Sequence, residues 1–327
     1  MLIKNPGVTK NFWCFFLQPA SLTPFVFLRI SFAVFSLCLC YSIYPYMNDL
    51  YGNEGYMQWV ISDHIFKKEF MPNIHNLYNW FNHFSTFSDI EVIKISFGVY
   101  ILCLVCIGLG FFSNVFAAIG WFIHLIFLNT GNIYGYGVET FIHILLFYFI
   151  FMPVDAKFSL KAMLLKKKFR SEKTKRHHQV MARIFIRLLQ IHLCLIYFNA
   201  GLAKTFGTHW WNGEGAWRSL TQFQYNTFNL TWLYKFPLLL KIAGWSVMAL
   251  ETLYGAFIWW QPTRKLFLYG IICIHLCIGI FMGLYFFAAI MIIINIAAFA
   301  FDLEDHTTKC SKLSLATNPT NAVNFSS

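Results

Sequence analysis

Apolar residues run along the chain in eight blocks, separated by short turns, one basic stretch and two longer aromatic-rich segments. A helix that crosses a bilayer needs ~20 mostly apolar residues at about 1.5 Å of rise each. That measure predicts spans at about Leu22–Tyr44, Ile90–Phe112, Val115–Asn129, Val138–Pro153, Val180–Lys204, Leu238–Trp260, Lys265–Met282 and Leu284–Ala300. The third and fourth are short and are expected to extend into their connections. The last two are joined by almost nothing, which predicts a tight hairpin at Gly283. The expected fold is all-α and integral to a membrane, with about eight transmembrane helices and interfacial or re-entrant helices on the outer face.

Composition strengthens this reading. Of the 327 residues, 58% are apolar and 12% charged, about half the ~25% usual in soluble domains. Mean hydropathy is +0.55. A water-soluble core of this size could not hide so much apolar surface, and the same figures exclude disorder.

Charge then sets orientation. The formal charge is +11, and Lys157 to Arg176 holds nine Lys or Arg against one acid, Glu172. Such a cluster between apolar blocks reads as a cytoplasmic loop facing anionic lipid. It is not read as a nucleic-acid site, because no aromatic-interleaved basic face accompanies it. With both termini cytoplasmic, the turn at Arg264 and Lys265 and the tail at Lys309 and Lys312 fall on the same side. The segments at about Pro45–Asp89 and Thr205–Pro237 then lie outside, where the site is expected. The chain divides into an interfacial segment 1–18, a membrane domain 19–302 and a polar cytoplasmic tail 303–327. Met1 to Lys10 is polar and leads directly to a full span, so no cleavable signal is expected.

The nine cysteines predict no disulfide framework, since most lie in apolar runs as small hydrophobes. Cys103 and Cys106 form a C-x-x-C without the second ligand pair that a metal site requires, and no metal is expected.

Ionisable side chains inside spans cost at least ~2.5–3.5 kcal/mol each, so each needs a reason. Arg29 in the first block and Glu251 in the sixth are expected either to pair with one another or to serve a site. Lys204 ends the fifth block. It is either a lysine snorkelling to the interface or an amine covered by the following Gly- and Trp-rich run Thr205–Trp217. An amine deprived of water loses its preference for charge and can act as a base. Glu139 follows a glycine turn, where an acid also suits a helix N-terminus. His124, His143 and His192 read as satisfied core histidines. His275 lacks a metal partner at ligand spacing, and no metalloprotease, serine-hydrolase or phosphate-loop motif is present.

The fifth block carries a recognisable string: Ile186-Arg187, then Tyr197-Phe198-Asn199-Ala200-Gly201-Leu202-Ala203-Lys204, followed by Trp210 or Trp211, Gly213 and Ala216. Pro19 to Leu22 precede Arg29, Glu139 follows the glycine turn, Glu251 lies in the sixth block, and His275 with Phe286 marks the last hairpin. In these features residues 19 to 302 resemble the HTTM family, the membrane domain of vitamin K-dependent gamma-carboxylase and many bacterial proteins. The resemblance implies a lysine base at Lys204 that deprotonates a vitamin K or menaquinone-type hydroquinone, with O2 forming a strong base and CO2 adding to a peptide carbanion. It implies Glu139 and His275 as catalytic assistants, and Arg29, Tyr197, Asn199, Trp210, Trp211 and Glu251 as substrate or cofactor contacts. Ala203 stands where the carboxylase has a second lysine, Glu139 where it has a histidine, and no large extracytoplasmic domain follows. These features make the chain more similar to the branch of bacterial sporulation-delaying-protein maturation factors. The implied partners are membrane lipid, a secreted peptide substrate and a small accessory protein.

Three functions compete. The first is a bacterial inner-membrane enzyme with Lys204 as base and its active site on the extracytoplasmic side. The second is a non-catalytic maturation or immunity factor that binds a secreted peptide through the aromatic surface of Thr205–Pro237. The third is a small-solute carrier, which would need a continuous charged path or an internal repeat.

Overall fold

The computed structural model describes residues 13–66, 71–130, 135–165, 171–222 and 227–302. The polar N-terminus to residue 12, the tail beyond 302, the centre of the basic stretch (166–170) and part of the glycine turn (131–134) lie outside the described residues. So do 67–70 and 223–226 of the two aromatic segments.

All described elements are helical, and every one of the eight apolar blocks folds as a helix. We number these α1 (Thr23–Ile43), α2 (Asp89–Leu109), α3 (Ser113–Thr130), α4 (Val138–Phe151), α5 (Glu172–Thr205), α6 (Pro237–Phe257), α7 (Gln261–Met282) and α8 (Tyr285–Phe299). Among the described residues, five helices are long and apolar enough to cross a membrane: α1 with its continuation to Tyr51, then α2, α3, α5 and α7. The apolar α4 and α8 are shorter, and α6 has the length but not the hydropathy. Large apolar side chains on the long helices face outward, among them Leu102, Phe122, Leu195 and Leu276. An outer surface of that kind suits lipid rather than water.

Local chemistry explains the helix ends. Ser88 and Glu91 form a reciprocal capping box at the start of α2. Proline occupies the first turn of α1, α6 and α7, where its missing N–H costs nothing. The hairpin expected at Gly283 forms, and that residue closes α7 at φ +72°. Helix α5 begins at Glu172, ahead of the apolar block at Val180, in a stretch that holds no Gly or Pro to end it.

Sequence neighbours pack in pairs: α1 with α2, α2 with α3, α3 with α4, α5 with α6, α6 with α7, and α7 with α8. The last helix joins the two groups by packing on α1, α4 and α5. The two aromatic segments contain short helices at Met47–Tyr51, Trp59–Phe66 and Ile74–Asn82, then Thr208–Trp211 and Glu214–Thr221.

Arg29 settles into the core at the end of the bundle formed by the start of α1 and the end of α4. It is 1% exposed; it donates to the Val154 carbonyl at 2.8 Å and the Phe158 carbonyl at 2.5 Å, and lies 3.9 Å from Asp155. Asp155 also accepts from the Ser113 backbone N–H at 2.8 Å and faces Lys161 at 3.5 Å. The expected Arg29–Glu251 pair does not form, because each residue has a nearer partner of opposite charge at a different place in the bundle.

Candidate active site

The site is built where α5 and α6 pack most closely. Gly201 makes that approach possible: a Cβ there would collide with the Thr252 backbone N and Oγ1. With no side chain between the helices, Lys204, one turn further along α5, reaches across to Glu251. Its Nζ lies 2.6 Å from Glu251 Oε2, and the side chains are 21% and 11% exposed. The same nitrogen lies 3.5 Å from the Ala200 carbonyl, so the side chain bends back along its own helix rather than onward past its end.

The Gly- and Trp-rich run packs beside the amine and against α6. Trp210 places its ring 5.3 Å from Nζ. Gly244 on α6 lets the Trp210 carbonyl approach so closely that a Cβ there would meet it at 2.7 Å. Trp245 Nε1 donates to the Trp211 carbonyl at 2.9 Å, and Trp211 Nε1 donates to the Thr205 carbonyl at 2.8 Å. Trp211 therefore anchors the short helix while Trp210 covers the ion pair. Asn199 is exposed on the outer face of α5.

A second polar row lies within the bundle, one to two turns from Lys204 along α5. Asn295 on α8 is fully buried, and its Nδ2 donates to the Met291 carbonyl at 2.8 Å, which fixes the orientation of the amide. The same Nδ2 donates to Tyr197 Oη at 2.7 Å, while Tyr254 Oη donates to Asn295 Oδ1 at 2.7 Å. Tyr197, having accepted from Asn295, gives its own proton to His275 Nε2 at 2.8 Å. The run of donors therefore assigns His275 the tautomer with hydrogen on Nδ1, and this buried Nδ1 has no partner. Thr252 Oγ1, beside Gly201, is likewise buried and unpaired.

Glu139 is not brought to this site. Its carboxylate faces the backbone N–H groups of Tyr136 and Glu139 itself and lines a separate cavity between α1, α2, α3 and α4. The two places are divided at the start of α8, where Phe286 lines the cavity and Phe287 packs 5.7 Å from the His275 ring. The core histidines are also corrected in part. His192 Nδ1 meets Tyr148 Oη at 3.2 Å, but His124 and His143 stack on one another at 5.5 Å and each leaves Nδ1 without a partner.

Of the expected site residues, the structure thus gathers Lys204, Glu251, Trp210, Tyr197 and His275, and places Trp211 beside them. It places Arg29 and Glu139 elsewhere. Asn295, Tyr254 and Thr252 were not expected. Asn295 had a signal, a lone amide in the apolar run Met291–Ala298, to which the rule used for Arg29 and Glu251 applies equally.

Among the described residues, no group of three or more His, Cys, Asp or Glu side chains is placed to hold a metal ion. The chain matches no protein-family model, no curated protein and no solved structure.

Gly201→Val would push α6 away from α5, so Lys204 and Glu251 would separate. A cysteine pair placed at Lys204 and Glu251 should crosslink readily with a short bifunctional reagent when Gly201 is present and several-fold more slowly in the valine variant. Asn295→Leu takes the amide partner from Tyr254 and one of two partners from Tyr197, which keeps His275, a loss of about 1–3 kcal/mol for the group left unpaired. A clear fall in the thermal midpoint is expected, and an unchanged midpoint would refute the connectivity described.

Proposed function

We propose that this chain is a membrane enzyme of the HTTM type, in which the Lys204–Glu251 pair handles a proton on a substrate delivered from the bilayer. The observation that carries the reading is an amine and a carboxylate 2.6 Å apart between two apolar helices, covered by Trp210. At that separation a proton can pass from Nζ to Oε2, which leaves a neutral amine beside a neutral acid. The free amine can then take a proton from a weakly acidic substrate hydroxyl.

The residues present suit the hydroquinone that the resemblance implies. The pair would accept a ring hydroxyl proton, His275 Nδ1–H and Thr252 Oγ1 are buried and unpaired, and Trp210 offers an aromatic face. Such a molecule would supply reducing electrons for O2 chemistry when bound. The protein's part is to take up the proton at Nζ, to donate from His275 to an oxygen, and to exclude water. In this reading the eight helices cross a bacterial inner membrane with both termini cytoplasmic. The basic stretch then lies inside, and Lys204 with its Trp-rich cover lies near the outer face. The substrate is a secreted peptide or a membrane molecule.

A second reading is favoured by the exposed aromatic side chains Phe206, Trp211, Trp232, Tyr234 and Phe236 beside the site. They would give a non-catalytic maturation factor a face on which to hold a peptide. Turnover of an added menaquinol-type hydroquinone by the unsubstituted chain, lost in Lys204→Arg, is expected of the enzyme, and turnover by neither protein is expected of the maturation factor.

A further inference from the structure

The cavity that holds Glu139 is not used by the Lys204 site, and its contents point to a ligand of a different kind. It measures about 310 Å³, at the lower end of the ~300–1,000 Å³ usual for small-molecule sites. Four helices form its sides, and the start of α8 and the short helix at Met47–Tyr51 complete it. Its walls are largely aromatic: Tyr51 and Phe127 meet edge to face at 4.9 Å, Phe97 meets Phe127 at 5.9 Å, and Tyr100 lies 5.7 Å from His124.

Three polar atoms on its lining side chains are buried and unpaired: Glu139 Oε2, Ser36 Oγ and His124 Nδ1. They come from α4, α1 and α3, so separate helices converge on one space. No lysine or arginine is among the described residues that line it. The carboxylate is a strong acceptor with no internal cation to satisfy it. An anionic ligand would be repelled, and a hydrocarbon would leave all three groups unsatisfied at about 1–3 kcal/mol each. A group that donates hydrogen bonds and carries positive charge would satisfy the carboxylate and lie against the π faces of the surrounding rings.

We propose that the Glu139 cavity is a binding site for an organic cation, a primary or secondary ammonium carried on a small apolar body. The ammonium donates to Glu139 Oε2 and Ser36 Oγ, and the apolar body fills the space between Tyr51, Phe97, Tyr100 and Phe127. This inference is independent of the chemistry at Lys204, because none of Lys204, Glu251, Trp210, Tyr197 and His275 lines the cavity.

The test is calorimetric titration of the purified full chain in lipid nanodiscs with 2-phenylethylamine and with 2-phenylethanol, its neutral counterpart of nearly the same shape. Empty nanodiscs serve to subtract partition into lipid. Saturable binding of the amine at least tenfold tighter than the alcohol is expected. Glu139→Gln should weaken the amine at least tenfold and change the alcohol less than twofold. Ser36→Leu, which fills the cavity, should remove both. Equal affinity for amine and alcohol, failure of both to bind, or unchanged amine affinity in Glu139→Gln would each overturn the proposal. The first two outcomes are read on the unsubstituted protein, so a variant that folds poorly does not blur the answer.

Discussion

Replacing Lys204 by arginine is expected to lower turnover of an added menaquinol-type hydroquinone by at least a hundredfold, while the protein inserts normally and keeps its thermal midpoint within a few degrees. The guanidinium retains positive charge and can still pair with Glu251, so the structural part of the interaction survives. Arginine does not release its proton in proteins, and general-base contributions are typically about 10²–10⁴-fold. Lys204→Met is expected to do more harm to the fold. It leaves Glu251 buried beside Gly201 and Thr252 without its cation, and breaking one side of a buried pair costs about 3–5 kcal/mol. Adding Glu251→Met should recover most of that stability, because two apolar side chains replace a pair whose desolvation was costly, and turnover should stay absent. Oxygen uptake and hydroquinone absorbance in proteoliposomes measure the rate, and intrinsic fluorescence on heating measures the fold. A Lys204→Arg protein at the unsubstituted rate would remove the base role, as would an active double variant. If the unsubstituted chain turned over no hydroquinone, the peptide-holding reading would stand in its place.

The second large effect is expected far from that chemistry. Arg29→Met removes a guanidinium that holds the chain after α4 through the Val154 and Phe158 carbonyls and balances Asp155. Asp155 would keep Lys161 at 3.5 Å and the Ser113 N–H, but two buried carbonyls would lose their donor. The loss should be about 3–5 kcal/mol, a fall in the thermal midpoint on the order of 10 °C. Arg29→Lys should recover only part of it, because one ammonium cannot replace the planar fork that serves two carbonyls and a carboxylate. A midpoint within 2 °C of the unsubstituted protein in Arg29→Met would show that the cluster contributes little.

These two effects mark where residue order was enough and where it was not. The helices were legible because their signal is local: an apolar block of the right length, a proline in the first turn, a glycine at the last. Helix α5 runs beyond its apolar block, because apolar content marks a span whereas the helix continues through the polar residues Glu172–Arg176, which include no Gly or Pro. Lys204, Glu251, Arg29 and Glu139 were legible as residues needing a reason, since a charge in an apolar run is costly wherever it ends up.

Their partners were a different matter. Cost says that a charge must be matched, not by what, and residue order offered Arg29 rather than Lys204 as the partner of Glu251. The choice turned on Gly201, whose missing side chain lets α5 and α6 close to the distance a lysine can span, and on the chain after α4, which brings Asp155 back to Arg29. The sequence by itself determined that this protein is a bundle of apolar helices carrying a few expensive polar groups. Only the tertiary structure decided that these groups fall into three separate places: the Arg29–Asp155 cluster, the Lys204–Glu251 pair with its Tyr197–His275–Asn295 row, and the Glu139 cavity. The physical reason is that helix formation depends on neighbours within a turn or two, whereas the pairing of buried charges depends on how closely distant helices can approach.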